Sequence, residues 1–122
     1  MAIHLSVLTR ECLKLNEEAA LIFQEARESG MKGDFFSQVK PFADKMKEAA
    51  EQWGQEAIHW IEERRPKHLH AIQISNTVEN LQMVSVRCHF PETSLKKFNS
   101  HIQSNDYILR SLLLEMDKSG NK

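Results

Sequence analysis

Residues 62–70, EERRPKHLH, hold the densest run of side chains able to do chemistry in this sequence. Two arginines and a lysine suit an anion, because guanidinium groups form paired hydrogen bonds with carboxylates and phosphates. Two histidines one residue apart are able to carry protons or to bind a metal ion. The first candidate contact surface, for an anionic ligand or an unknown protein partner, therefore consists of Arg64, Arg65, Lys67 and His70.

The same run is also typical of an ordinary helix end. Cations in a last helical turn interact favourably with the helix dipole, and proline is common just beyond it. Arg64 follows Trp60 by four residues, so their side chains are placed to stack. Exposure discriminates between the two interpretations. Solvent-facing, unpaired side chains at Arg65 and His70 favour binding, whereas bonds to helix ends and acids favour a purely structural role.

Arg65 and His70 also allow an enzymatic alternative. Their spacing resembles the R-x4-H motif of the HEPN ribonucleases, which are helical bundles too. The resemblance implies metal-independent RNA cleavage, in which the histidine transfers protons and the arginine stabilises the phosphate. In that motif the start of a helix orients both side chains. Pro66 lies between Arg65 and His70 and interrupts such a helix start. We therefore expect a protein without catalytic activity and keep the RNA endonuclease as the alternative.

Two further patterns raise the idea of a metal site. His68 and His70, together with His4, would offer zinc three ligands. Glu56 and His59 form one Glu-x-x-His pair, whereas di-iron bundles carry such a pair on two helices. The second pair is missing from the sequence, and we expect no metal and no cofactor.

Composition excludes several classes of protein. The chain has 122 residues, the size of one domain, with 16 basic and 17 acidic side chains and a net charge of -1. No overall field draws such a chain to nucleic acid, and no run of about eighteen apolar residues is present to span a membrane. Cys12 and Cys88 are too few for a disulfide framework. We expect a cytoplasmic protein, with self-association through apolar residues such as Trp60 and Leu113 as a further hypothesis.

Four apolar stripes predict four helices, because their members recur in steps of three and four residues. The first stripe is Leu5, Leu8, Cys12, Leu15, Ala19, Ile22 and Ala26; the second is Val39, Phe42, Met46, Ala49, Trp53, Ala57, Trp60 and Arg64. The third is Ile74, Val78, Leu81, Val84 and Cys88; the fourth is Leu95, Phe98, Ile102, Asn105, Leu109, Leu112 and Met116. Short joints marked by glycine or proline separate them. The pattern predicts an all-α, antiparallel up-down-up-down four-helix bundle over residues 1–122, with a frayed tail at 117–122.

The joint before the second helix, DFFSQVKP, supplies the second candidate contact surface. Proline fits the first turn of a helix, so we expect the main helix to begin near Pro41 and a separate turn to precede it. Asp34 is a natural N-cap, and the structural alternative to a contact surface is that the two phenylalanines after it cover the end of the core. This surface consists of Asp34, Phe35, Phe36, Lys40 and Pro41. The length of the helix places it about 35 Å from the arginines.

Three blocks of sequence together resemble the YppE-like family of small Bacillus-type proteins of unknown function. They are DFFSQVKP at residues 34–41, Trp53, and RRPKHLH at 64–70 followed by Gln73 and Ile74. The likeness runs from about residue 33 through the fourth helix and is looser in the first. It implies an all-α bundle and supplies no activity, cofactor or partner.

Overall fold

The computed structural model describes residues 2–118, with side chains from residue 4 onward. Its helices are α1 (Ala2–Ser29), α2 (Lys40–Arg64), α3 (Ala71–Arg87) and α4 (Leu95–Lys118), with a π-helical turn at Phe35–Val39. Each helix packs against its neighbours in the chain, α4 packs against α1, and α1 also touches α3 across the bundle. The predicted all-α, antiparallel four-helix bundle is confirmed, and the described residues contain no strand.

The predicted stripes supply the core, because a helix with apolar residues on one side buries that side against its neighbours. Leu5, Leu15, Trp53, Leu81 and Leu109 are among its fully buried members. Each large apolar side chain buried in this way stabilises the fold by about 1.5–3 kcal/mol. The buried side of α1 is wider than its stripe and also includes Thr9, Leu13, Asn16 and Phe23.

Polar contacts inside the core connect α1 to α2 and α4. Asn105, the polar member of the fourth stripe, donates from Nδ2 to Oδ1 of Asn16 at 3.1 Å. Asn16 Nδ2 in turn donates to the carbonyl oxygen of Ile102 at 3.1 Å. Trp53 Nε1 donates to Thr9 Oγ1 at 3.0 Å. A buried polar group left without a partner costs about 1–3 kcal/mol, so these pairs favour one register of α1 against its neighbours.

Several details of the helices correct the expectations. Arg64 is exposed, so the inner face of α2 stops at the buried Trp60 and Ile61. Trp60 is 6% exposed and Leu113 is partly buried against the core, and self-association stays a prediction. A β-carbon at Gly54 would lie 2.7 Å from Cγ2 of Val78, so this glycine makes room for a side chain of α3.

The topology separates two ends of the bundle. The 25 residues of α2 hold the turn after Asp34 and the segment after Arg64 about 37 Å apart. At the far end of the chain, α4 continues through Lys118, beyond the predicted start of the frayed tail at 117. Residues 119–122 of that tail lie outside the described residues. Within residues 2–118, no helix has both the length and the apolar composition that crossing a membrane requires.

Candidate functional site

The basic corner, residues 64–70, joins α2 to α3. Arg65 caps the C-terminus of α2 in a left-handed conformation with φ 49°, and its N–H donates to the carbonyl oxygen of Ile61 at 2.8 Å. His70 is the N-cap of α3, and its backbone N–H donates to Oε1 of Gln73 at 2.7 Å. Between them Leu69 is only 2% exposed. Three fixed points therefore hold this short segment in one path.

The side chains at this corner are presented to solvent. Arg64, Arg65, Lys67, His68 and His70 are all exposed. Among residues 2–118, the side chains of Arg65 and Lys67 make no hydrogen bond or ion pair. His70, in contrast, serves the start of α3 through its backbone. His70 therefore has a structural role at this corner, whereas the side chains of Arg65 and Lys67 can contact a ligand or partner.

The ribonuclease and metal hypotheses find no support in this geometry. Arg65 ends a helix and His70 begins the next one, so the two are not aimed from one helix start. In the part of the chain that the structure describes, no three His, Cys, Asp or Glu side chains lie close enough to hold a metal ion. His59 is exposed and lies 3.4 Å from Glu63 rather than facing the core. Burial raises the pKa of the thiols of Cys12 and Cys88 to about 12, so neither is poised as a thiolate.

The aromatic corner, residues 31–41, joins α1 to α2 at the other end. Asp34 caps the π-helical turn as predicted, because its Oδ2 accepts hydrogen bonds from Ser37 N at 2.9 Å and Ser37 Oγ at 2.8 Å. These bonds to the carboxylate lower the pKa of Asp34. Gln38 Oε1 accepts from the N–H of Asp34 at 2.7 Å. Helix α2 then begins with Pro41 in its first turn, as expected.

The two phenylalanines do not cover the core, and that expectation is wrong. Phe35 is 56% exposed and Phe36 is 80% exposed, and their rings meet edge to face with centroids 5.1 Å apart. Met31, two residues before Gly33, is 72% exposed as well. Val39, from the same turn, is the apolar side chain that is buried, at 4% exposed. Large apolar side chains therefore project from this corner.

His89 anchors the aromatic corner from the α3–α4 connection. Its carbonyl oxygen accepts a hydrogen bond from Gly33 N at 2.9 Å, and its ring packs edge to face on Phe42 at 5.9 Å. A β-carbon at Gly33 would lie 3.0 Å from Nδ1 of His89, so only glycine fits there without a shift. Burial lowers the pKa of His89, which favours the neutral imidazole. The imidazole ring lies beside Gly33, just before the turn that Asp34 caps.

Clefts open on the surface of the bundle in the described part of the chain. One of about 290 Å³ lies at the aromatic corner and includes Glu25, Lys32 and His89 in its lining. One of about 550 Å³ runs between α1 and α4 and includes Glu17 and Asp106. The third, of about 200 Å³, lies between the end of α3 and the start of α4. Carboxylates line the first two of these clefts, whereas no carboxylate lines the third.

Sequence reasoning missed two residues that shape the corners. Leu69 precedes the N-cap His70 and Ile74 follows it by four residues, which is the spacing of a hydrophobic staple, and both are buried. That spacing was a usable signal. Met31 carried no such signal, because a single apolar residue between glycines has no periodicity. Its exposure depends on how the loop leaves α1.

The fold and its two corners define the class of protein. It is a small antiparallel four-helix bundle with exposed cations at one end and exposed aromatic side chains at the other. Within that class the chain belongs to the family described as a bacterial domain of unknown function (DUF1798), whose model matches residues 9–116. The resemblance to the YppE-like family is thereby confirmed. The match includes most of α1, so the likeness begins well before residue 33, where the motifs placed it.

Relatives of known structure share the whole bundle. The uncharacterised protein YppE of Bacillus subtilis is 26% identical over 115 residues, which cover 94% of each chain. Its crystal structure has a TM-score of 0.93, covering 100% of this chain and 99% of YppE. A Listeria innocua protein of unknown function is 27% identical with a TM-score of 0.93, covering 99% of this chain and 97% of its own. These likenesses agree with the fold and with the family that the matching family model shows.

Proposed function

We propose that this chain is a non-catalytic binding protein whose main contact surface is the aromatic corner. The observation that carries the proposal is the exposure of Phe35 and Phe36, at 56% and 80%, on a turn that is otherwise fixed. Exposed aromatic side chains grouped together mark interaction sites, because burying them on a partner is strongly favourable.

Magnitudes favour this corner over the basic one as the anchor. Full burial of a phenylalanine side chain contributes about 1.5–3 kcal/mol. An exposed ion pair contributes about 0–1 kcal/mol, because both charges are already well solvated. The cations at Arg64, Arg65 and Lys67 therefore suit a secondary role, in which they steer an acidic partner and speed association. One small binding site cannot include both corners, because the length of α2 holds them about 37 Å apart.

The aromatic corner is also preorganised, which lowers the entropy lost on binding. Asp34 caps the turn through Ser37, and Gln38 binds the backbone of Asp34 in return. Gly33 is tied to His89 by a backbone hydrogen bond. The two rings already pack against each other, so few rotamers remain to be fixed when a partner binds.

The chemistry of the corner indicates what kind of partner fits it. Two phenylalanines and Met31 require an apolar pocket or groove. Lys32 and Lys40 are exposed beside them, and Lys40 is held by Asp44 at 2.7 Å. A protein with an apolar pocket and an acidic rim meets both requirements.

Affinity capture with two matched variants tests the proposal. Phe35→Ser/Phe36→Ser removes the rings, Arg64→Glu/Arg65→Glu reverses the charge at the basic corner, and Lys45→Glu is the control for a charge change on the flank of α2. We expect one bacterial protein to be retained by wild type and by the control, to be weakened in the arginine variant, and to be lost in the phenylalanine variant. Sedimentation of the purified pair identifies its stoichiometry.

Other results would redirect or reject the proposal. Loss in the arginine variant alone would make the basic corner the contact surface. Equal retention by all four proteins would reject both corners. Single-stranded RNA incubated with purified wild type should stay intact; cleavage abolished by His70→Ala would instead establish the ribonuclease alternative.

A further inference from the structure

A cleft of about 200 Å³ lies between the end of α3 and the start of α4, and the charged side chains that line it are all basic. Arg87 contributes from the last turn of α3, Lys97 from the first turn of α4, and His101 from the turn after it. The hydroxyls of Thr93 and Ser94 complete the polar lining. No carboxylate lines it, whereas Glu25 lines the cleft at the aromatic corner and Glu17 the cleft between α1 and α4.

The cations of this cleft are not neutralised within the described part of the chain. No ion pair or side-chain hydrogen bond involves the charged groups of Arg87 and Lys97 or the ring of His101 among residues 2–118. Two like charges around one small cleft repel each other, and an anion between them removes that repulsion. An arginine guanidinium also matches the oxygen spacing of a phosphate, so it gives geometry as well as charge.

The hydroxyl of Thr93 stabilises the α3–α4 connection, and the hydroxyl of Ser94 can still donate a hydrogen bond to a ligand. Thr93 Oγ1 donates to the carbonyl oxygen of Arg87 at 3.2 Å, which fixes the loop on the end of α3. Ser94 Oγ accepts from Lys97 N at 3.3 Å, so its own hydroxyl proton is available to a ligand oxygen. The attraction for an anion rests on the side chains of α3 and α4, not on the helix start alone.

The remaining wall of the cleft is apolar. Met83, Val84 and Phe98 line it, and Phe98 is fixed by packing on Phe23 with ring centroids 4.1 Å apart. A cleft of about 200 Å³ is smaller than the roughly 300–1,000 Å³ of sites for drug-sized ligands. A ligand that fills it therefore has one anionic group and a short carbon skeleton.

We propose that this cleft binds a small phosphate monoester. The phosphate lies between Arg87 and Lys97 and accepts from Ser94 Oγ, while His101 donates from a ring nitrogen. The carbon skeleton lies against Met83 and Val84. This site is distinct from the aromatic corner, so either assignment can fail without the other.

A titration followed by amide NMR tests the site in the full chain. The probes are glycerol 3-phosphate, inorganic phosphate and glycerol, at constant ionic strength. We expect glycerol 3-phosphate to shift the amide signals of residues 93–101 in a saturable way, inorganic phosphate to bind more weakly, and glycerol to have no effect. Arg87→Gln and Lys97→Met should each weaken binding by about tenfold or more, because each removes a charge-assisted contact.

Lys96→Met is the matched control, since Lys96 is exposed beside Lys97 but does not line the cleft. Its affinity should equal that of wild type, and all three variants should keep the dispersed amide spectrum of the folded chain. Equal weakening by Lys96→Met, or no saturable shift with either phosphate, would overturn the proposal. Inorganic phosphate binding as tightly as the monoester would overturn the role of the apolar wall.

Discussion

Helices α1 and α2 end in the same backbone geometry with different residues. After α1, Gly30 has φ 72° and its N–H donates to the carbonyl oxygen of Ala26 at 2.8 Å. After α2, Arg65 has φ 49° and its N–H donates to the carbonyl oxygen of Ile61, also at 2.8 Å. Glycine takes this left-handed conformation without strain, whereas a residue with a β-carbon loses about 1 kcal/mol or more.

The difference separates the two corners by how they are built. The aromatic corner leaves α1 through an unstrained glycine and carries its exposed residues on a capped turn. The basic corner places an arginine where glycine would be more stable, and that arginine side chain has no partner among the described residues. A strained residue with a free side chain favours a role for that side chain. Backbone strain is therefore the best structural support for function at the basic corner.

Removing the anchor of the basic corner is expected to have the largest effect. Leu69→Ala should lower the free energy of unfolding by about 2–5 kcal/mol, because Leu69 is buried and its loss leaves a cavity. Ile72→Ala, three residues later on an exposed position, is the control and should change it by less than about 0.5 kcal/mol. Urea unfolding measures both. Similar values for the two variants would mean that Leu69 does not fix the corner.

Exchanging the cap residues should give changes of opposite sign. Gly30→Ala should destabilise the protein by about 1 kcal/mol, and the cause is purely conformational because a β-carbon there meets nothing within 4 Å. Arg65→Gly should leave stability unchanged or raise it by up to about 1 kcal/mol. Thermal unfolding of both variants is the measurement. Destabilisation by Arg65→Gly would show that the arginine side chain stabilises the fold.

Acidification should act on the aromatic corner before it acts on its cap. Burial lowers the pKa of His89 below its ordinary value of 6.5, so the unfolded chain takes up the proton first. Stability is therefore full above about pH 6.5 and falls as the pH drops below it. Glu25 and Lys32 line the same cleft as His89. His89→Gln should flatten this part of the curve when urea midpoints are compared between about pH 7.5 and about pH 5.

The cap responds in a separate pH window. The pKa of Asp34 lies below its ordinary value of 3.8, so its contribution is present above that pH and is lost as the pH falls further. Asp34→Asn should remove that lower step and leave the step assigned to His89. A curve without a step below about pH 6.5, in wild type as in His89→Gln, would contradict the assignment to His89.

Truncating the exposed rings should have the smallest effect on stability. Phe36→Ala should change the free energy of unfolding by less than about 0.5 kcal/mol, because the ring is 80% exposed. Phe23→Ala, at a ring that is 2% exposed, should cost about 3–5 kcal/mol and serves as the contrast. A large loss in Phe36→Ala would restore the predicted lid and weaken the proposed contact surface.

Much of the fold followed from local patterns. The four stripes predicted the four helices, and Pro41, Pro66 and Pro91 marked their joints because proline restricts the backbone in any context. The N-cap at Asp34 was also predictable, since a cap depends on the side chain and the backbone three residues on. The role of Asn105 needed the structure, because its partner Asn16 lies on another helix, far away in sequence.

The candidate sites were less predictable for the same reason. Position on a helix end was visible in the sequence, but exposure was not, as Phe35 and Phe36 illustrate. The cleft between α3 and α4 was not predicted either. Arg87 lies on α3 and His101 lies on α4, so no helical periodicity relates the two residues. They line the same cleft because the α3–α4 connection turns the chain back.

The amino-acid order alone determined that this chain forms four amphipathic helices, because periodicity and proline act over a few residues. The tertiary structure decided which side chains were left outside. That outcome depends on how the helix ends meet, because the same turn buries Val39, at 4% exposed, and leaves Phe36 80% exposed.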